Sequence, residues 1–202
     1  MPVGEGAHQR FGGCRQREAD AHRSLGEGGH TRDHGLVRGA PHASQLLQQK
    51  IRSATSLALL VRRLKRQGQR IVFANGCFDL LHVGHVLLLE RAKRFGDVLL
   101  VAINSDRSVK TLKGLGRPIM PQQDRARLVA ALASVDYVTI FETPTPYELI
   151  RRLQPDVLVK GADWPLSRIV GRELLGRSGG RVVRIPLING YSTTKLLKQI
   201  TR

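Results

Sequence analysis

Two histidines three residues apart, His82 and His85, close the run Asn75-Gly76-Cys77-Phe78-Asp79-Leu80-Leu81-His82-Val83-Gly84-His85. At that spacing both imidazoles can face the same side of a helix's first turn. Imidazole N–H groups held there stabilise charge that grows on a phosphorus centre under attack. The run follows Ile71-Val72-Phe73-Ala74, a short apolar segment suited to a buried parallel strand. A loop that leaves a strand's carboxyl end and enters a helix N-terminus is a natural phosphate site, because free backbone N–H groups and the helix dipole both favour negative charge. Gly84 is expected to keep that side open for a triphosphate. A lone histidine is more often structural, but two of them with an Asp and a Gly in such a loop point to chemistry.

Near the other end, Gly190-Tyr191-Ser192-Thr193-Thr194-Lys195 precedes another helical stretch. Ser192 suits an N-cap, and its hydroxyl with the following N–H groups of Thr193 and Thr194 would hold β- and γ-phosphates. Between the two motifs, strand and helix patterns alternate. Helices are expected over 84–95, 121–134, 146–153, 167–177 and 192–200, and strands over 97–103, 135–141, 156–159 and 181–185. That rhythm predicts right-handed βαβ units and an α/β, Rossmann-like doubly wound parallel sheet, with ligands beyond the carboxyl ends of its strands. Ahead of the first strand, Ser56 is a candidate cap for a helix carrying Leu57, Leu60, Val61 and Leu64, which Gly68 stops.

The organisation read from this pattern is a Gly/Arg/His-rich tail at 1–44, a helix within 45–68 and one domain at 69–202. The tail holds five of the seven histidines at irregular spacing and few aliphatics, so disorder is expected there rather than metal binding. Two cysteines far apart, Cys14 and Cys77, form neither a disulfide framework nor a zinc pattern, which suits a reducing cytoplasm. No apolar run approaches membrane-spanning length. The net charge of +17 falls almost wholly outside the tail, whose six arginines meet five acids. Such a field draws polyanions, whether nucleotides, sugar phosphates or nucleic acid.

The histidine run resembles the Phe-Asp-x-x-His-x-Gly-His signature of the cytidylyltransferase-like nucleotidyltransferases, and the resemblance extends from about residue 69 to 200. It implies ATP bound by Asn75, Gly76, Phe78, Asp79, Gly84 and the Ser192-Thr193-Thr194 cap, with His82 and His85 catalytic. Lys113, in Lys110-Thr111-Leu112-Lys113-Gly114, matches a lysine that neutralises phosphate charge. Lys110 is assigned to the substrate phosphate, and Arg125, which matches the arginine opening the family's next helix, to that phosphate or to an acid inside the fold. Lys160, Gly161 and Asp163 lie in Val159-Lys160-Gly161-Ala162-Asp163-Trp164, a loop near the nucleotide in this family; Trp164 would stack or pack.

Within the family the chain is most similar to the adenylyltransferases that form ADP-heptose for lipopolysaccharide. The matching runs include Asn104-Ser105-Asp106, Lys113-Gly114 with Arg117-Pro118, and Val135-Asp136. The resemblance implies in-line attack of D-glycero-β-D-manno-heptose 1-phosphate on the α-phosphorus of ATP, with Mg²⁺ on the nucleotide. It further implies a homo-oligomer, served by a separate heptose kinase and phosphatase. Glycerol-3-phosphate cytidylyltransferases share the histidine motif, but their closing Arg-Thr-Glu-Gly-Ile-Ser-Thr-Thr loses its arginine here, where Leu187-Ile188-Asn189-Gly190-Tyr191 stands. They remain the alternative. A nucleic-acid-binding module with an inactive nucleotide site is a remoter one, disfavoured by the intact motifs and the lack of an aromatic stacking platform.

Overall fold

Continuous apolar runs make the strands: β1 (Ile71–Gly76), β2 (Val98–Asn104), β3 (Tyr137–Phe141), β4 (Val157–Gly161) and β5 (Arg181–Ile185). In the computed structural model, which describes residues 43–187, 190, 191 and 193–200, they form one parallel sheet of order β3-β2-β1-β4-β5. β1 pairs with β2 from Ile71↔Val98 to Gly76↔Ile103 and with β4 over Val72–Ala74. The chain runs outward from β1 to β3 on one side, then returns past β1 to add β4 and β5 on the other. β1 and β4 therefore border the switch point, where a doubly wound sheet opens a crevice beyond its strand ends.

The helices are α1 (Ala43–Lys50), α2 (Ala54–Arg66), α3 (Val83–Lys93), α4 (Asp106–Lys113), α5 (Gln122–Ala130), α6 (Tyr147–Leu153), α7 (Arg172–Ser178) and α8 (Thr193–Ile200). Strand side chains alternate between faces. Val72, Ala74, Leu99, Val101 and Ile103 pack with Leu89 and Ala92 of α3 and Ala126 and Val129 of α5. Ile71, Phe73, Leu100 and Ala102 pack on the opposite face with Leu57 and Val61 of α2, Leu149, Ile150 and Leu153 of α6, and Leu175 of α7. Every residue of β2 is buried, as a strand covered on both faces requires.

Several expected boundaries move. The span 45–68 holds two helices, and the cap of the second is Ser53, whose hydroxyl accepts from the Ser56 amide. The expected helix over 167–177 divides into a 3-10 turn (Leu166–Arg168) and α7, separated by Gly171 at φ 87. A residue with a Cβ would be strained at that angle, and its Cβ would stand 2.8 Å from Ile150 Cδ1. α4 was not foreseen; Ser105 caps it by accepting from the Ser108 amide, and Gly114 at φ 85 ends it. The tail expected over residues 1–44 lies outside the described residues except for its last two positions, which open α1.

Candidate active site

β1 runs on through Asn75 and Gly76 into the histidine motif, so the motif's first two residues are held by the sheet. The chain then turns at Phe78, whose φ of 46 is left-handed. For a bulky residue that conformation costs on the order of 1 kcal/mol, offset by burial of the ring. The ring lies against Gly76, where an added Cβ would stand 3.1 Å from Phe78 Cε2. His82 caps α3 in an extended conformation without a side-chain cap bond, and its carbonyl accepts from the amides of His85 and Val86. The first amides of α3 are thus left to an anion, as at other helix N-termini.

The His82 and His85 rings stack with centroids 3.8 Å apart, and Phe78 meets His85 at 5.1 Å. Both Nδ1 atoms and Asn75 Oδ1 are buried without a partner in the protein. Gly84 was expected to keep space open for phosphate, but the protein occupies that space. A Cβ there would meet His82 Nδ1 at 3.0 Å and Tyr191 Cβ at 3.2 Å. We therefore expect Gly84→Ala to push the His82 ring off its partner and lower kcat by about tenfold, a loss on the scale of one weakened charge-assisted hydrogen bond. Steady-state kinetics check this; unchanged kcat would mean that the stacking is dispensable.

His85 opens onto a cavity of about 540 Å³ at the switch point. Lys113 from the end of α4, Arg117 from the following loop and Lys160 from β4 share its wall. Lys160 donates to the Asn75 carbonyl at 3.4 Å and lies 5.4 Å from the Trp164 ring. Burial pushes its ammonium down to about 8, against the opposing pull of Cys77 and Asp163. Burial, with the neighbouring His82, pushes His85 down to about 4, and burial also lowers His82. The pair is therefore neutral at pH 7, each ring able to donate one N–H.

The His85 shift predicts acid sensitivity. Unfolded histidine, near its ordinary 6.5, takes up a proton between pH 6.5 and about 4 that the folded chain refuses. This group leaves stability unchanged above pH 6.5 and lowers it as pH falls through that window. Urea midpoints at pH 7 and 4.5 should separate more for the wild type than for His85→Gln; equal separations would show that the ring is not a buried neutral base.

Asn75, Gly76, Phe78, Asp79, His85, Lys113, Lys160 and Thr193 all line this cavity. Asp79 has no free oxygen to offer a nucleotide. Arg117 donates to its Oδ2 at 2.6 Å, and the amides of Ile119 and Met120 donate to Oδ1. Burial opposes its ionisation, but these donors outweigh burial and hold the carboxyl below its ordinary value. Asp79 thereby fastens residues 117–120 to the motif. Gly161 is buried, and its missing Cβ makes room for the Asp163 carboxylate and Leu187. Lys110 is exposed and stands outside the cavity wall. Ser192 lies outside the described residues, as does the side chain of Thr194.

The substrate-phosphate role of Arg125 is corrected in favour of its other expected role, a partner for an acid inside the fold. Arg125 is fully buried and donates to Asp106 Oδ1, the Met120 carbonyl and the Cys77 carbonyl. It ties α5 to the motif loop and to the start of α4. Sequence reasoning assigned no role to Arg168, Val170 or the turn Pro144-Thr145-Pro146, which also wall the cavity. Nothing in their local pattern marks them, because only the sheet topology brings these loops to β1. Among the described residues no cluster of three His, Cys, Asp or Glu could hold a metal, and Asp79, the one carboxylate on the wall, is already engaged.

The sequence profile of the family described as cytidylyltransferase-like matches residues 73–198. The chain is 55% identical over 152 residues to the bifunctional protein HldE of Koribacter versatilis (strain Ellin345), covering 75% of this chain and 31% of that protein. It is 48% identical over 159 residues to the bifunctional protein HldE of Geotalea uraniireducens (strain Rf4), covering 79% and 32%. The chain thus spans about a third of the length of these curated relatives. Among solved structures it is similar to the lipopolysaccharide core biosynthesis protein from Thermoplasma volcanium GSS1, with TM-score 0.50 and 26% identity, over 62% of this chain and 100% of that one.

Proposed function

The chain belongs to the cytidylyltransferase-like family, and from that we propose that it transfers AMP from ATP to a heptose 1-phosphate, forming ADP-heptose and pyrophosphate. The observation that carries this reading is the stacked, neutral His82–His85 pair at the N-terminus of α3, whose His85 opens onto a cavity walled by Lys113, Arg117, Lys160 and Arg168. An acceptor phosphate oxygen attacks the α-phosphorus in line, and the bond to the bridging oxygen of the β-phosphate breaks. The nucleophile is already anionic, so no general base is needed. His85 donates its N–H to the α-phosphoryl oxygens as their charge grows, and His82, stacked against it, fixes that ring. Lys113 and Lys160 hold phosphate oxygens from opposite walls, which supplies positioning and charge neutralisation.

An incoming phosphate favours the charged form of Lys160, so ATP binding should raise the titration of this ammonium above 8. The divalent cation is part of the substrate: Mg²⁺ enters on the triphosphate oxygens, since the wall offers it no free carboxylate. Thr193, at the start of α8, sits on the wall where a triphosphate tail would end.

Adenylyl rather than cytidylyl transfer is supported by the closing motif, which lacks the arginine of glycerol-3-phosphate cytidylyltransferases. A heptose acceptor is supported by likeness to ADP-heptose-forming adenylyltransferases and by similarity to the lipopolysaccharide core biosynthesis protein from Thermoplasma volcanium GSS1. Such an acceptor implies a sugar kinase and a phosphatase acting earlier. We further take the protein to work in the cytoplasm as a homo-oligomer; no described helix is long and apolar enough to cross a membrane. Pyrophosphate release decides the matter. Turnover should be fastest with ATP and heptose 1-phosphate, whereas faster turnover with CTP and glycerol 3-phosphate would reassign the enzyme.

A further inference from the structure

The opposite end of the sheet, where the strands begin, carries a second concentration of positive charge. β1 holds six residues at about 3.3 Å each, so this end lies roughly 20 Å from the histidine pair. Two adjoining hollows of about 380 and 470 Å³ open there, and both are walled by Gly68, Arg70 and Arg181. Arg94 joins the second.

The acids and lysines at this end serve the fold. Asp97 accepts from the Arg70 amide, Asp136 from the Leu99 amide and Asp156 from the Ile71 amide. Lys65 pairs with Asp156 at 3.0 Å and Lys93 with Asp136 at 2.5 Å. The guanidinium groups of Arg70, Arg94 and Arg181 are different. All three residues are exposed, and among the described residues none of these groups makes an ion pair or a hydrogen bond.

Two of them are also laid in place by the turn between α3 and β2. The Arg70 stem passes over Gly96, where an added Cβ would stand 3.0 Å from Arg70 Cγ and 2.7 Å from the Arg70 carbonyl oxygen. The Arg181 guanidinium lies over the Phe95 ring at 5.8 Å. Arg94, at the C-cap of α3, has a helix dipole to complement, whereas Arg70 and Arg181 stand at strand starts. Three fork-shaped donors around two connected hollows match phosphoryl oxygens better than single-point anions.

We propose that this end of the sheet is a second anion-binding site, taking a ligand with two or more phosphoryl groups in a row. A single phosphoryl group fills one hollow; a row fills both, because Arg70 and Arg181 wall the two hollows in common and can bridge neighbouring groups. No large apolar side chain of the two hollows is exposed, which leaves nothing to enter a lipid surface, and Phe95 is half-buried beneath Arg181, which leaves no platform for a base.

The test is amide NMR of the full chain with inorganic tripolyphosphate, at constant ionic strength. Gly68, Gly96 and Gly180 report this end, and Gly76 and Gly84 report the cavity. Shifts at the first three should saturate, and Arg70→Gln/Arg181→Gln should weaken that binding by about tenfold or more while pyrophosphate-releasing turnover stays unchanged. Arg94→Gln alone should give a smaller loss in the same direction. The proposal is overturned if those three amides do not shift, or if they shift equally in the double variant. It is likewise overturned if orthophosphate binds there as tightly as tripolyphosphate. A single-stranded oligonucleotide binding this end more tightly than tripolyphosphate would make the ligand nucleic acid and refute the assignment.

Discussion

His85→Ala should lower kcat by about two to three orders of magnitude, the usual loss when one preorganised transition-state donor is removed, while KM for ATP changes far less. The reason is geometric. The His85 ring contacts His82 at 3.8 Å and Phe78 at 5.1 Å and lines the cavity, so its position is fixed before substrate arrives. A donor fixed in advance stabilises the charge that appears only during transfer, which is why kcat carries the effect. Alanine also leaves His82 without its stacking partner, so a second variant, His85→Gln, separates loss of the donor from loss of the stack. Pyrophosphate release under saturating ATP measures both. A variant that turns over normally removes His85 from the chemistry, and one that raises only KM makes it a binding residue.

Arg125→Ala should cost about 2–5 kcal/mol of stability, since two carbonyls lose their donor at about 1–3 kcal/mol each and the partly exposed Asp106 loses its charged partner. Truncation strands the Met120 and Cys77 carbonyls and removes the buried partner of Asp106, three groups that this one guanidinium gathers. The cavity wall is built on the same elements, so activity should fall with the folded fraction. In the protein that remains folded, KM for ATP and for acceptor should be close to wild type. Urea unfolding followed by circular dichroism gives the first quantity and kinetics at low temperature the second. A loss below about 1 kcal/mol together with a greatly raised acceptor KM would return Arg125 to the phosphate role that its position in the sequence suggests.

These two residues show what a sequence reveals and where it stops. The His82/His85 spacing and its place after an apolar run are local features, and the structure puts both rings together at the helix start. The parallel sheet was legible for a similar reason: runs such as Val98–Asn104 are apolar on both faces, a pattern that only a covered strand explains. The family resemblance leaves Arg125 open between a phosphate and an acid inside the fold and implies a nucleotide contact for Asp79. Their actual partners, Asp106 and Arg117, lie 19 and 38 residues away, and no local pattern encodes such pairings. Gly84 fails in the same way, since the side chain that needs its missing Cβ includes Tyr191 from the far end of the chain. α4 was missed for a local reason: eight residues with four charged side chains resemble a solvated loop until Ser105 and Gly114 are read as its two ends.

A structure of the protein with ATP and Mg²⁺ bound tests the histidine assignment most directly. The distance to measure runs from the His85 imidazole nitrogen that faces the cavity to the nearest α-phosphoryl oxygen. Hydrogen-bond contact at about 3 Å, with the nucleotide's tail over the first turns of α3 and α8, is the expected result. A triphosphate bound elsewhere, with the paired rings facing only protein, would contradict it.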